Sequence, residues 1–150
     1  MQRQLNSLDR LITTLDTALR EVTRGTNTLS GDRPSPAKDH SEAELSDAER
    51  QHAGGLMRIN HTGEVCAQAL YRGQALVAKS EETREALLHA AQEEKDHLDW
   101  CEERLQELGS HTSRLNPLFF VSSYALGAIT GTIGDKVSLG FVHATEEGVA

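Results

Sequence analysis

Aromatic residues make up only 4% of this 150-residue chain, prolines number three and cysteines two. Each shortage excludes something. So few prolines and aromatics argue against an all-β domain and leave long helices as the natural architecture. Two cysteines, Cys66 and Cys101, with no CxxC spacing are too few for a disulfide framework. Both are read as reduced, half-buried side chains of a cytoplasmic protein. No run of lysines or arginines occurs, and the formal net charge is -8, from 23 acidic against 15 basic residues. That balance offers no electrostatic footprint for nucleic acid and no polybasic segment for anionic lipid. The N-terminus has no charged n-region followed by an apolar stretch, so it does not read as a secretory signal. No glycine-rich phosphate loop, Gly-x-Ser-x-Gly elbow or internal repeat is present. With a mean hydropathy of -0.47, the chain is long enough for one domain, but part of it is expected to lie outside the core.

Leu5, Leu8, Leu11, Ile12, Leu15, Leu19 and Val22 form one helical stripe, which predicts an amphipathic N-terminal helix over residues 1–23. Docking on the domain is the simplest role for it, and a partner- or membrane-contacting arm is the alternative. Residues 24–46 are rich in Gly, Ser, Thr, Asn, Asp and Pro and read as a flexible linker. Ser46 with Glu49 three residues on has the spacing of a capping box and predicts a helix from about Asp47 to Ala78. A second helix is expected from Glu81 to Leu108, with Gly109 as its stop. Residues 47–150 are thus expected to form the folded domain.

Between Arg114 and Asp135 no residue is charged. That length would permit a membrane span. Ser122, Ser123, Thr130, Thr132 and three glycines dilute it, so it is read as an interfacial or pocket-lining segment, ahead of a core helix and a true span. Gly127 and Gly131 form a GxxxG, a weak sign of close helix contact. A last helix is expected to start near Asp135.

The informative residues are carboxylates standing where leucines should. On the second helix Leu87, Glu94, Cys101 and Leu108 repeat at seven-residue spacing beside Ala91, Leu98 and Leu105, making an apolar seam with Glu94 inside it. His97 follows Glu94 by three residues and projects from nearly the same face. A lone buried carboxylate costs several kcal/mol even after relaxation and must be paired, protonated or metal-bound. A Glu-x-x-His on an inward helix face is how di-metal bundles supply one metal, and hard oxygens with one imidazole suit iron or manganese. The competing reading makes residues 93–97 a solvated charged run. Glu64 on the first helix and Glu146 on the last tip the balance, because each also replaces an apolar residue on its stripe. Gly63, costly in a helix interior by about 1 kcal/mol, suggests a close approach. His61 and His143 are read as surface residues, and Glu93 and Asp96 as facing solvent.

The stretches RINHTGEVCAQALYRGQAL, EEKDHLDWCEERLQELGS and NPLFFVSSYALGAITGTIGDKVSLGFVHATEE resemble the demethoxyubiquinone hydroxylases of ubiquinone biosynthesis. RPSPA and ELSDAER look like the leader of the bacterial form. The resemblance runs over residues 45–147 and implies an all-α, ferritin-like four-helix bundle. It implies iron as cofactor, with Glu64 and His97 on the first iron and Glu94 and Glu146 bridging two. The family's pattern continues with a further Glu-x-x-His, which this sequence lacks, so the bundle is expected without its fourth helix.

The resemblance further implies an O2-dependent monooxygenase that hydroxylates a polyprenyl methoxy-methyl-benzoquinol, attached peripherally to the cytoplasmic face of the inner membrane. Phe119, Phe120, Tyr124 and Leu126 would offer the substrate an apolar path, and other ubiquinone-biosynthesis proteins would be its partners. Two other readings share the residues: a ferritin-like iron-handling or peroxide-reducing protein, and a non-catalytic bundle that binds quinone or lipid.

Overall fold

The computed structural model of the chain describes residues 9, 12, 13, 16, 33–41 and 44–149, with side chains in the last helix described through residue 144. Most of the stripe over residues 1–23, and residues 24–32 of the linker, lie outside the described residues. Those described form four helices and no strand. They are α1 (Asp47–Val77), α2 (Glu81–Glu107), α3 (Asn116–Gly131) and α4 (Asp135–Val149).

The ends of these helices follow local chemistry. Ser46 caps α1: its hydroxyl accepts from the Glu49 N–H while the Glu49 carboxylate accepts from the Ser46 N–H at 2.9 Å. Ser80 caps α2 by accepting from the Thr83 N–H at 3.0 Å. At the other end of α2, Gly109 takes φ +66°. That left-handed turn lets the Gly109 N–H donate to Gln106 and the Ser110 N–H to Leu105, closing the helix. The start of α4 is tied back to the α1–α2 turn. The Asp135 carboxylate accepts from the N–H groups of Lys79 and Ser80, both at 2.9 Å.

Helix α1 is the shared neighbour, packed on both α2 and α3, while α4 touches the others more sparsely. Because only residues 78–80 join α1 to α2, those two helices run antiparallel. Tyr71 and Ala75 meet Leu87, Ala90 and Ala91 in the main core, with Val142 of α4 against it. Leu87 is fully buried, and Leu105 and Leu108 of the same seam are buried as well.

The α1–α3 contact is closer. A Cβ on Gly127 would land on the Leu70 carbonyl, and one on Gly73 would strike the Tyr124 carbonyl. Gly131 is close but less tight: a Cβ there would meet the Val77 side chain first and the Gln74 backbone at 3.1 Å. The GxxxG is therefore a true backbone-to-backbone crossing. Gly63 is different: nothing stands within 4 Å of where its Cβ would be, so the close approach expected there is absent.

Candidate metal centre

On the face of α1 that meets α2, buried residues recur at helical spacing: His61, Val65, Gln68, Tyr71 and Ala75. Gln68 reaches across to donate to the Ala91 carbonyl at 3.4 Å. Glu64 stands within this row, half-buried, with 24% of its side chain exposed. Opposite it, the α2 seam presents Glu94, whose side chain is 13% exposed, and His97 at 41%. One ligand atom from each of Glu64, Glu94 and His97 lies within 4.8 Å of the others. The His97 Nδ1 is 3.0 Å from the Glu94 Oε2 and 3.9 Å from the Glu64 Oε2.

Two carboxylates this close resist ionising together. Burial, and then the hydrogen bond and charge of Glu94, push the Glu64 carboxyl up to about 7. A divalent cation removes that conflict. Three converging donors, two hard oxygens and one imidazole, thus fit an iron- or manganese-type ion. Cys101 adds nothing to the donor set. Burial, followed by the charges of Glu64 and Glu102, raises its thiol to about 11 and keeps it neutral, whereas a metal-binding cysteine is a thiolate. Glu146, the fourth expected ligand, belongs to α4, but its side chain lies outside the described residues.

The structure corrects two readings of the sequence. His61 is not a surface residue: it is 3% exposed. Its Nε2 lies 3.2 Å from the Glu102 Oε1, and its Nδ1 is 3.2 Å from the Asn116 Nδ2. An amide donor at Nδ1 leaves the proton on Nε2, where it points at the carboxylate. Asn116 in turn accepts from the Thr62 hydroxyl at 3.1 Å. One imidazole thereby joins α1, α2 and the first residue of α3, a turn away from Glu64. Asp96 was expected to face solvent, yet it is 5% exposed and its Oδ2 accepts from the Arg33 Nε at 2.7 Å. Glu93 and His143 are at the surface as expected: the Glu93 side chain is 42% exposed and His143 is exposed. The signal for His61 was its place on the Gln68–Tyr71 row. Asp96 carried none, because its partner lies 63 residues away in the leader.

An all-helical domain that aims two carboxylates and an imidazole at one point between antiparallel helices is, by class, a helical bundle with a carboxylate–histidine centre. Comparison with known proteins narrows the class. Residues 51–150 match the family described as Ubiquinone biosynthesis protein COQ7. The 3-demethoxyubiquinol 3-hydroxylase of Chromohalobacter salexigens is 57% identical over 149 residues, which are 99% of this chain and 69% of that protein. The protein of that name from Pseudomonas fluorescens is 56% identical over 150 residues, 99% of this chain and 68% of its own length. No solved structure matches the chain. The chain belongs to the COQ7 family, and its all-helical architecture agrees with that family's ferritin-like fold.

Proposed function

We propose that this chain is a di-iron monooxygenase of ubiquinone biosynthesis, which hydroxylates a polyprenyl methoxy-methyl-benzoquinol at its unsubstituted ring carbon. The observation that carries this reading is the convergence of Glu64, Glu94 and His97 within 4.8 Å, in a chain 57% identical to a 3-demethoxyubiquinol 3-hydroxylase. Glu64, Glu94 and His97 would hold iron, with Glu146 joining them from α4. Iron held there would supply the chemistry for activating O2: one oxygen atom would enter the ring and the other would be reduced to water by two electrons from an external reductant, with two protons. The protein's residues do the rest. Glu64 gives up its proton as metal enters, which makes loading pH-dependent. Leu98, Val65 and Phe120 pack beside the centre and limit water there. The His61–Glu102 pair keeps the two ligand-bearing helices in register one turn away.

The substrate's isoprenoid tail favours a membrane surface. On α3, Phe120 is buried and Tyr124 partly so, while Leu118, Val121, Leu126 and Ile129 are exposed, with Ile133 just beyond. These make one apolar outer face on a helix roughly 24 Å long. No described helix is long and apolar enough to cross a membrane. The reading is therefore peripheral attachment through α3 at the cytoplasmic face of the inner membrane, with Phe119 and Leu126 at the lipid side.

Iron per chain, measured after anaerobic reconstitution, tests the centre. The wild type should bind iron and Glu94→Ala should lose it, and a wild type that takes none would end the proposal. Vesicle co-sedimentation tests the surface. Ile129→Glu should bind vesicles about tenfold more weakly, from the lost transfer of one large apolar side chain, and unchanged binding would remove α3 from the membrane contact.

A further inference from the structure

The leader residue Arg33 is attached to α2 by three contacts. Its Nε donates to the Asp96 Oδ2 at 2.7 Å, its terminal nitrogen lies 3.6 Å from the Glu93 Oε1, and its own carbonyl accepts from the Trp100 indole N–H at 2.9 Å. The third contact matters because of what Trp100 touches. Its ring centroid is 5.2 Å from that of His97, the candidate ligand with the most exposed side chain of the three. At about 100° per residue, Asp96 lies about 160° round α2 from Glu94, with Trp100, Glu93 and His97 in between. Arg33 thus grips the back of the helix, and Trp100 carries that grip round to the edge of the centre.

The balance of charge supports a purposeful contact. An almost fully buried aspartate is costly without a partner, and the guanidinium of Arg33 is a cation it meets. The same pairing holds Arg33 more firmly protonated, first through its hydrogen bond to Asp96.

We propose that Arg33 is a positioning residue. It latches the leader onto α2, fixes Trp100 against His97, and so slows exchange of metal at the Glu64–Glu94–His97 centre. This rests on the reading of those three residues as iron ligands. An imidazole that is 41% exposed can swing away from a metal unless something holds its ring, and outer groups that orient ligand histidines typically change metal affinity 10–100-fold. The indole supplies that restraint by packing, and the Arg33 carbonyl fixes the indole.

The full chain has one tryptophan, so its fluorescence reports on Trp100 alone. In metal-free protein, Arg33→Ala should shift Trp100 emission to the red and lower its anisotropy, with helix content unchanged, and Arg33→Lys should fall between the two. In iron-loaded protein, release to a ferrous chelator should be about tenfold faster in Arg33→Ala than in wild type. Equal release rates would overturn the coupling, and unchanged emission would overturn the latch itself. A wild type that takes up no iron would instead overturn the site reading and the coupling with it, while the emission shift would still decide whether the latch exists.

Discussion

Helix α1 meets its two main neighbours in opposite ways. Toward α3 it offers Gly73 and the Leu70 carbonyl, and backbone meets backbone around Gly127 and Gly131. Toward α2 it offers Val65, Gln68, Tyr71 and Ala75, and side chains keep the helices apart. Only the second contact leaves room for Glu64, Glu94 and His97 to converge. A helix pair touching through glycines has no space for ligands, but it gives α1 a rigid backing from which Glu64 can be aimed. The two faces therefore differ in kind: one fixes position, the other gathers the candidate ligands.

The largest expected effect would break the glycine face. Gly127→Leu cannot be absorbed by a rotamer change, because the added Cβ meets a main-chain carbonyl. Either α3 lifts away or α1 bends. Overpacking of this kind costs about 3 kcal/mol and occasionally more, measured as a fall in the urea midpoint. Gly63→Ala, on α1, is the control at an open glycine. Its Cβ enters open space, so it should raise stability by up to about 1 kcal/mol through helix propensity. If both variants lost the same amount, the contrast between close and open glycines would be wrong.

A smaller effect sharpens the other face. In metal-free protein the Glu64 carboxyl titrates at about 7, above its ordinary 4.5. The folded state then binds the proton more tightly than the unfolded chain. This group's contribution to stability is fully present below pH 4.5, falls as pH rises toward 7 and is flat above. With some solvent at the site, the loss should be about 1–3 kcal/mol. Iron should reverse the slope, since metal binds the deprotonated carboxylate and its affinity grows with pH. Denaturation of the metal-free protein at several pH values checks this, and Glu64→Gln should flatten the curve. A wild type whose stability rose over the same range would show that Glu64 is already ionised and paired.

Much of this was legible in the sequence, and the reasons are local. The Ser46–Glu49 capping box, the Gly109 stop and the α2 seam are patterns within one or two turns, so they fix α1 and α2 to within a residue. Glu94 and His97 stood out as candidate ligands because a carboxylate interrupts an apolar row, and Glu64 because it does so on a second helix; the structure brings the three together. The GxxxG was legible only as a hint, since spacing does not say which partner comes close. His61 and Asp96 were read wrongly for one physical reason: each is buried by a partner on another element. Glu102 lies 41 residues from His61 and Arg33 lies 63 from Asp96, and periodicity carries no information over such distances. Gly63 was misread because a helix-breaking residue can sit in open space as readily as at a crossing.

The smallest effect concerns how α4 is brought to the centre that the two faces of α1 define. Helix α4 packs sparsely, so its axial position depends on the clasp at its start, where Asp135 accepts from Lys79 and Ser80. Counting at about 1.5 Å per residue, Glu64 and Glu94 lie about 21–22 Å from that clasp and Glu146 about 16 Å. The clasp therefore sets how far along the bundle residue 146 of α4 stands. The two N–H donors hold the Asp135 carboxyl below its ordinary value. A lowered acid gives stability that is present above its unfolded pKa and is lost as pH falls through the folded one. Asp135→Asn keeps the shape but offers one acceptor oxygen and an NH2 group, leaving one of the two N–H groups facing a donor. The expected result is a melting temperature lower by a few degrees, a flatter acid limb below about pH 4, and faster amide exchange at Lys79 and Ser80. Unchanged exchange would mean that the clasp holds nothing, and that the sparse packing of α4 against the other three helices sets its register alone.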